Sequence, residues 1–551
     1  MSDNLISAIA LLSPIVFILT SAVSWLQPGI KPKHVIFLSR ASATLSLLIA
    51  GICSFYAIKL GLIESAFLGI AGMGLSIRLD SVSLIMLGMI SLLSFIIIKF
   101  SIRYLDGDPN QGLFMGRLAA TIASVQLLVL SGNLGLLFIS WVLTSLSLHR
   151  LLVFYRDRSG AQIAAKKKFI MARLGDVCVL ISIILLYTLF GTGNLEVIFT
   201  TLNNTPFTGH AASLEFAALF LALAAILKSA QFPTHGWLIE VMETPTPVSA
   251  LLHAGILNAG PFLIIRMAYV MDASSIAPML LLIIGGFTAL FASVVYLTQT
   301  SIKTAFGYSS VGHMGFSLMV CGLGVYPAAM LHLVAHSFYK AHSFLSSGSV
   351  IDVIKASKII SVKKSISLTQ IIAGILLALA IFTGFALLWG IDPVKEGSLL
   401  IIGGVIILGL SHIFITAISL NWNLKLFMQA TLLACGVTVA FFGLETGTHV
   451  LMQSNVPDTS TPGLGKILVA GLLLAMFSLT VIAQNSVALL SDKPYYKALA
   501  IHIRNGFYAN VLFDRLIGSL RINSEGKMTV LKEPVLHKPF PKNGINNRRS
   551  L

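Results

Sequence analysis

The chain has 551 residues, of which 56% are hydrophobic and 11% are charged, and its formal net charge is +16. An ordinary soluble domain carries about 25% charged residues, so this composition excludes a soluble multidomain enzyme, a disordered chain and a collagen-like protein. Several apolar stretches reach the length of about 20 residues that crosses a bilayer. The sequence therefore predicts a polytopic membrane protein, and we attribute its positive charge to cytoplasmic loops rather than to nucleic-acid binding.

The apolar stretches predict an all-α bundle of about 14–15 transmembrane helices. Their odd-numbered and even-numbered positions are both apolar, as in residues 84–98. The strands of a membrane β-barrel would instead alternate apolar and polar residues. In chain order the predicted helices lie near residues 5–26, 35–60, 80–100, 113–131, 133–155, 165–190, 213–232, 245–271, 276–298, 302–324, 326–350, 366–390, 398–420, 424–445 and 466–490. Residues 491–522 predict one or two amphipathic surface helices, and the polar residues after them predict an extended or docked tail.

Basic residues recur in alternate connections between these helices, whereas the other connections are poorer in them and hold acidic residues. The basic connections contain Lys31, Lys33, Lys99, Arg103, Arg117, Arg156, Arg158, Lys166, Lys167, Lys168, Lys303, Lys355, Lys358, Lys363, Lys364 and Lys425. Because cytoplasmic loops are enriched in Lys and Arg, this alternation predicts an outer N-terminus and a cytoplasmic C-terminus. We expect the protein in a bacterial inner membrane.

Lys228 is the most informative ionisable residue, because it follows an apolar run and precedes Pro233 by five positions. A proline at this place predicts a broken helix, which membrane proteins tolerate where it lines a hydrated cavity. Placing a charged side chain in the membrane interior costs at least a few kcal/mol of free energy, so an ionisable residue there indicates a function. A desolvated amine can gain and lose a proton near neutral pH. The alternative is a lysine that extends to the lipid headgroups.

Histidines in two further segments extend this polar set. His253 lies about two turns into a helix opened by two prolines, where an imidazole can relay protons or form a structural hydrogen bond. His332, His336 and Lys340 are spaced i, i+4, i+8 and share one helix face, which predicts a proton or water path. A structural polar seam is the main alternative. Zinc is a weaker one, because no carboxylate or cysteine lies nearby on that face.

Asp176 follows Arg173 by three residues, so the two are predicted to form an ion pair within the bundle. Asp176 is also predicted to modulate Lys228. The sequence has no Cys–His zinc set, no phosphate-binding glycine loop and no flavin fingerprint. The chain is therefore predicted to translocate ions without a cofactor, and any catalysis is expected in a partner.

Around these residues the sequence resembles the antiporter-like family, which includes the large membrane subunit of NADH–quinone oxidoreductase (complex I) and Mrp-type sodium/proton antiporters. The resemblance covers roughly residues 75–350 and rests on the ordered segments RLDSVSLIMLGMISLL, AAKKKFIMARLGDV, LKSAQFPTHGWLIEVMETPTPVSALLHAGILNAGPFLIIR, LTQTSIKTAFGYSSVGHMGF and HLVAHSFYKAHSFLSSGSV. It implies that Lys228 is the family's broken-helix lysine and that His253 occupies its proton-relay position. His336 and Lys340 would lie on its central polar axis.

The same resemblance implies an antiporter-like fold with two inverted five-helix repeats, roughly the predicted helices 4–8 and 9–13. We therefore expect N-terminal helices over residues 1–110, an antiporter-like core over 111–420, C-terminal helices over 421–490 and a cytoplasmic tail over 491–551.

The sequence departs from that pattern at two places. Val142 follows Trp141 where the family usually has a glutamate, and the segment IFTGFALLWGIDPV has neither the Pro-Pro nor the lysine of the second broken helix. One of the two half-sites is therefore predicted to be degraded.

This altered pattern and the tail KPYYKALAIHIRNGFYANVLFDRL resemble the DabB family, the membrane subunits of bacterial inorganic-carbon accumulation complexes. In that family the membrane subunit pairs with a large soluble DabA subunit that contains a carbonic-anhydrase-like zinc site. The resemblance implies that a gradient of protons or Na⁺ energises conversion of CO2 to bicarbonate, or bicarbonate uptake. A proton-pumping subunit of an NADH–quinone oxidoreductase-like complex and an Mrp-type Na⁺/H⁺ antiporter subunit are the alternatives.

Overall fold

The computed structural model describes residues 3–155, 159–204, 211–241, 244–347, 366–419, 424–459, 461–490 and 494–519. The predicted polar tail after residue 522 lies outside these ranges. So do six of the basic residues used to predict the topology, namely Arg156, Arg158, Lys355, Lys358, Lys363 and Lys364.

The described chain is a helical bundle whose long helices follow the predicted segments. In chain order the α-helices are α1 (Asp3–Val23), α2 (Lys33–Leu60), α3 (Ser81–Tyr104), α4 (Gln111–Leu130), α5 (Leu134–Leu152), α6 (Ser159–Phe190), α7 (Leu195–Asn204), α8 (Ala211–Lys228), α9 (Gly236–Glu240), α10 (Thr246–Leu251), α11 (Ala259–Arg266), α12 (Ala268–Asp272), α13 (Ile276–Tyr296), α14 (Ile302–Gly322), α15 (Tyr326–Leu345), α16 (Leu368–Trp389), α17 (Gly397–Ser419), α18 (Leu424–Met452), α19 (Leu464–Leu490), α20 (Pro494–Arg504) and α21 (Ala509–Ser519).

Twelve helical segments of the described chain are long and apolar enough to cross a membrane, counting α10 to α11 as one segment. The three other predicted segments form α8, α14 and α15, which contain 18, 21 and 20 residues. This confirms the prediction of an all-α, multi-pass membrane protein.

Two short antiparallel strand pairs between α2 and α3 lie outside the predicted elements. Strand β1 (Ile63–Glu64) pairs antiparallel with β4 (Arg78–Leu79), and β2 (Leu68–Ile70) pairs antiparallel with β3 (Met73–Leu75). The two residues between β2 and β3, Ala71 and Gly72, have φ values of +52° and +76°, as a tight hairpin turn requires. Strands of two or three residues are too short for an alternating pattern to identify them.

A buried ionic cluster joins this hairpin region to the bundle. Asp80 caps α3 by accepting a hydrogen bond of 2.8 Å from the Ser83 amide. Its Oδ2 also lies 2.7 Å from Arg78 Nε and 2.6 Å from Arg266 Nη1. Burial raises the pKa of Asp80, but the charges of Arg266 and Arg78 outweigh burial and hold that pKa well below its usual value. The ordinary pKa of an aspartate is about 4. The stability that Asp80 contributes is therefore complete above about pH 4 and declines as the pH falls further.

Replacing Asp80 with alanine is expected to destabilise the protein by about 3–5 kcal/mol, because two buried guanidinium groups lose their shared carboxylate. The thermal unfolding midpoint of the purified protein in detergent measures this loss. Asp106→Ala is the control, because Asp106 is an exposed loop carboxylate. Equal unfolding midpoints for the two variants would show that the cluster does not support the fold.

The tail contains two surface helices, α20 and α21, as predicted from its amphipathic pattern. Asp514 on α21 forms an ion pair with Lys167 on α6, and Lys167 also donates hydrogen bonds of 2.6 and 2.7 Å to the Glu240 carboxylate on α9. The Asn510 side chain lies against Gly236, where a Cβ atom would be only 2.1 Å from Asn510 Oδ1. The tail is therefore attached directly to the segment that follows the broken helix.

Candidate functional site

The helix that carries Lys228 is broken immediately after this residue. Helix α8 ends at Lys228, and the chain is not helical again until α9 begins at Gly236. Pro233 has no amide hydrogen to donate, and Ala230 has a φ of +52°, so the helix cannot continue through this segment. The predicted broken helix is therefore confirmed.

The Lys228 side chain points into the bundle, and the residue is only 7% exposed. Its Nζ lies 2.7 Å from Ser145 Oγ, 3.2 Å from Thr144 Oγ1 and 3.4 Å from the Trp141 carbonyl oxygen. It also lies 4.2 Å from the centre of a Trp141 ring, close enough for a cation–π interaction. These contacts are with α5, so the amine does not extend to the headgroups.

Helix α5 holds the amine without a carboxylate at position 142, where the family resemblance leads us to expect a glutamate and the chain has Val142. Trp141, Thr144 and Ser145 are spaced i, i+3, i+4 and therefore share the face towards Lys228. Helix α6 supplies a carboxylate, Asp176, which is close enough for its charge to interact with that of Lys228. Arg173 Nη2 lies 2.7 Å from Asp176 Oδ2, as their spacing predicts.

A second buried lysine beside this site was missed. The sequence pattern places Lys168 in a basic connection, but α6 begins at Ser159 and includes it. It is 4% exposed, and its Nζ donates a hydrogen bond of 2.8 Å to the Ser145 carbonyl. Its charge also interacts with that of Lys228. Consecutive lysines point to different sides of a helix, so Lys166 is exposed while Lys167 and Lys168 are buried.

His253 lies in a π-helical turn (Leu252–Ile256) between α10 and α11. Its Nδ1 is 2.9 Å from Ser310 Oγ, and its ring stacks on Phe344 with centres 4.4 Å apart. The ring is fully buried, and Nε2 has no hydrogen-bond partner among the described residues. Single π-helical turns within α-helices are frequent at functional sites, and this one leaves a nitrogen of His253 unpaired.

The predicted polar face of α15 is present. His336 and Lys340 are 3% and 0% exposed, and His332 lies on the same face with its ring centre 6.1 Å from that of His336. Lys340 Nζ donates a hydrogen bond of 3.2 Å to the Phe306 carbonyl. Neither ring nitrogen of His336 has a partner in the described part of the chain.

His313 on α14 completes a cluster of three histidines and was not singled out from the sequence. Its Nδ1 lies 3.3 Å from His332 Nε2, and its ring centre lies 4.7 Å from that of His336. Across the described ranges, no three His, Cys, Asp or Glu side chains are arranged to hold a metal ion. Imidazole rings at these separations can exchange protons directly or through one water molecule.

Backbone and hydroxyl contacts connect the Lys228 site to the histidines. Ser229, next to Lys228, lies with its Oγ 3.3 Å from the Leu257 carbonyl oxygen. Asn258 donates a hydrogen bond of 2.7 Å to Ser337 Oγ on α15. The charge of His253 interacts with those of Lys340 and His336. The predicted residues thus form two clusters, Lys228 with Asp176 and His253 with the α15 face, along one buried polar region.

Several buried polar atoms along this region have no protein partner. Within the described residues they are Gln231 Oε1, His235 Nδ1 and Nε2, His253 Nε2, Asn258 Oδ1, and His336 Nδ1 and Nε2. Buried polar groups are normally hydrogen-bonded, and water satisfies those that the protein leaves unpaired. These atoms are therefore positions at which water would satisfy groups that the protein leaves unpaired.

Helix α16 lies where the family resemblance leads us to expect a second broken helix. Helix α16 runs without interruption from Leu368 to Trp389 and contains no lysine. This segment therefore provides neither the break nor the buried amine found at Lys228.

Two family descriptions match the chain. Residues 131–395 match the family described as NADH:quinone oxidoreductase/Mrp antiporter, transmembrane, and residues 69–115 match the N-terminus of chain 5 of complex I. The first match covers α5 to α16, including Lys228, His253 and the polar face of α15. The solved Mrp complex of a Dietzia species is similar in structure, with a TM-score of 0.63 and 20% identity over 93% of this chain and 59% of that chain.

Curated relatives fall into two groups. A probable inorganic carbon transporter subunit DabB of Hydrogenovibrio crunogenus is 43% identical over 51% of this chain and 56% of its own length, so the match spans little more than half of that relative. The probable subunit DabB2 of Halothiobacillus neapolitanus is 33% identical over 81% of each chain. The NADH-ubiquinone oxidoreductase chain 5 of Acanthamoeba castellanii is 36% identical over 48% of this chain and 40% of its own length.

Proposed function

Because this chain belongs to the antiporter-like family of membrane subunits that includes DabB and the large subunit of complex I, we propose that it is the cation-coupled subunit of an inorganic-carbon uptake pump. Protons or Na⁺ would energise a soluble, zinc-containing DabA-like partner that handles CO2 or bicarbonate. The complex would lie in a bacterial inner membrane, with the C-terminal tail of this subunit in the cytoplasm.

The observation that carries the proposal is the set of groups that contact the buried Lys228 amine. Two hydroxyls and a carbonyl accept hydrogen bonds from a charged amine, and the Trp141 ring favours the same form. The buried, low-dielectric position opposes that form. Opposing effects of this kind allow a lysine to change its protonation as ions pass. The neighbouring charges of Asp176 and Lys168 would respond to each change.

The route along the bundle would use the histidines and the waters between them. Within the described residues, His253 and the α15 face present unpaired ring nitrogens to the same buried polar region as Gln231, His235 and Asn258. A neutral imidazole accepts a proton at one nitrogen and donates from the other, so neighbouring rings transfer protons without moving far. The proposed route connects Lys340, His336 and His313 to the segment that follows Lys228.

Coupling to the partner would occur through the segment after the break. Helix α9 follows the broken segment, and its Glu240 is connected through Lys167 to Asp514 of the tail. A charge change at Lys228 would alter the broken segment and thereby the position of α9 and α21. The proposed partner would sense that displacement at the tail, and its zinc would supply the carbon chemistry.

The identities to DabB subunits, 43% and 33%, and the unbroken α16 favour carbon uptake over redox-driven pumping. The family match over residues 131–395, whose description names the Mrp antiporter, supports a second candidate, an Mrp-type Na⁺/H⁺ antiporter subunit. An antiporter would make deletion strains salt-sensitive without a CO2 requirement. A proton-pumping subunit of an NADH–quinone oxidoreductase-like complex would require redox partners.

Affinity purification of the tagged full chain from its native host, followed by mass spectrometry, tests the proposal. We expect one large soluble protein with bound zinc to co-purify, and we expect a deletion strain to grow in elevated CO2 but not in air. Co-purification of quinone-oxidoreductase subunits would contradict the proposal. So would a deletion strain that grows in air and fails only at high Na⁺.

A further inference from the structure

A polar cavity of about 420 Å³ lies at the predicted outer side, between the end of α16, the start of α17 and helix α18. Its charged and titratable lining residues are Lys395, Glu396, Glu445, His449 and Asp458. With its three carboxyl groups ionised and its histidine neutral, the lining has a formal net charge of −2, which favours cations over anions. The ion route proposed above does not include this cavity.

Glu445 is the deepest acid of this cavity. It is 7% exposed and lies seven residues before the end of α18 at Met452, which places it about 10 Å below the helix end. No hydrogen bond or ion pair with any described residue reaches its carboxylate. Glu396 and His449 are near enough for their charges to interact with it. An isolated buried carboxylate must bind a proton or another cation, because burying an unpaired charge is very unfavourable.

Glu396 supplies a second unpaired carboxylate at the same cavity. It precedes α17, where its carbonyl accepts hydrogen bonds from the amides of Leu399 and Leu400. Its Oε2 is enclosed and has no partner among the described residues. No tight three-ligand arrangement for a metal ion exists in the described chain, so the two acids suit a proton or a hydrated monovalent cation.

The cavity lies at one end of the histidine face. Val325, the residue before α15, is part of its lining, and α15 packs against α18. His332 is six residues after the first residue of α15, which corresponds to about 9 Å along the helix. A cation released from the cavity would therefore reach the first histidine of the proposed route within about two helical turns.

We propose that Glu445 binds the coupling cation, H⁺ or Na⁺, on the outer side before the ion charge is passed to the histidine face of α15. The proposal rests on the proposed ion-coupled function and adds a loading site to it. Glu396 and Asp458 would attract the cation into the cavity. In this arrangement the second half of the chain would bind the ion at a carboxylate on α18. Helix α16 is unbroken and supplies no lysine for this purpose.

Carbodiimide labelling of the purified complex tests the site directly, because dicyclohexylcarbodiimide modifies protonated carboxyl groups in apolar surroundings. Mass spectrometry should find the label on Glu445, increasing as the pH falls, and Glu445→Gln should lack it. Protection by NaCl but not by choline chloride identifies Na⁺ as the ion, and pH dependence without protection identifies H⁺. Absence of label at every pH, or labelling that ignores both pH and Na⁺, would overturn the proposal.

A growth assay separates this site from the proposed function. Glu445→Gln should prevent growth in air and permit growth in elevated CO2, whereas Asp106→Asn, at an exposed carboxylate, should behave as wild type. If Glu445→Gln grows normally in air while the deletion strain does not, the loading site is wrong and the carbon function stands. If the deletion strain has no CO2 requirement, the carbon function is wrong, whatever the labelling result.

Discussion

Replacing Lys228 with alanine should abolish growth in air while leaving growth in elevated CO2 unchanged. The amine is the only cationic group that the broken segment presents to Ser145 and Thr144 on α5 in the described structure. Without it, the proposed change of protonation at position 228 is lost, so uptake should fall to the level of a deletion strain. Growth in air and uptake of labelled inorganic carbon measure the effect.

Assembly must be intact for this result to concern ion coupling. Co-purification of the partner with Lys228→Ala and Lys228→Met would show that assembly is intact. The methionine variant retains most of the side-chain volume, so its phenotype does not arise from a cavity. Lys303→Ala is the matched control, because Lys303 is an exposed lysine at the start of α14. Growth of Lys228→Ala in air at the wild-type rate would eliminate the proposed role of this amine.

Replacing His336 with alanine is expected to give a similarly complete loss, and His342→Ala on the same helix is expected to have no effect. His336 is 3% exposed, both its ring nitrogens are unpaired in the described structure, and it lies beside His313. His342 faces outwards from the same helix. Removing His336 interrupts the proposed row of imidazoles, so protons would have to cross a gap without a titratable group.

The same pair of variants distinguishes a relay from a structural polar seam. A seam predicts that His336→Ala lowers the thermal unfolding midpoint and that uptake declines only in proportion to the amount of folded protein. A relay predicts an unchanged amount of assembled complex with no uptake. His336→Gln refines the comparison, because glutamine keeps hydrogen-bonding capacity but cannot carry a proton at physiological pH. Wild-type uptake by His336→Gln would contradict the relay.

Local sequence patterns were sufficient for the helical architecture and for part of the site. Apolar runs of membrane-spanning length predicted the long helices, because a bilayer requires about 20 apolar residues regardless of what surrounds them. Pro233 predicted the break after Lys228, since a missing amide hydrogen is a property of that residue alone. The i, i+4, i+8 spacing placed His332, His336 and Lys340 on one face because the helical period is constant.

The identity of the groups around each site residue depended on the tertiary structure. Ser145 lies 83 residues before Lys228, and His313 lies on a different helix from His332, so no local pattern connects either pair. The sequence pattern does not distinguish Lys168 from the two lysines before it. Only the packing of α6 against α5 shows that Lys168 is buried. Helix periodicity is set within a few residues, whereas the partners of a buried charge are decided by which helix faces pack together. The sequence alone therefore determined which residues are exceptional in a membrane, and the fold determined what they contact.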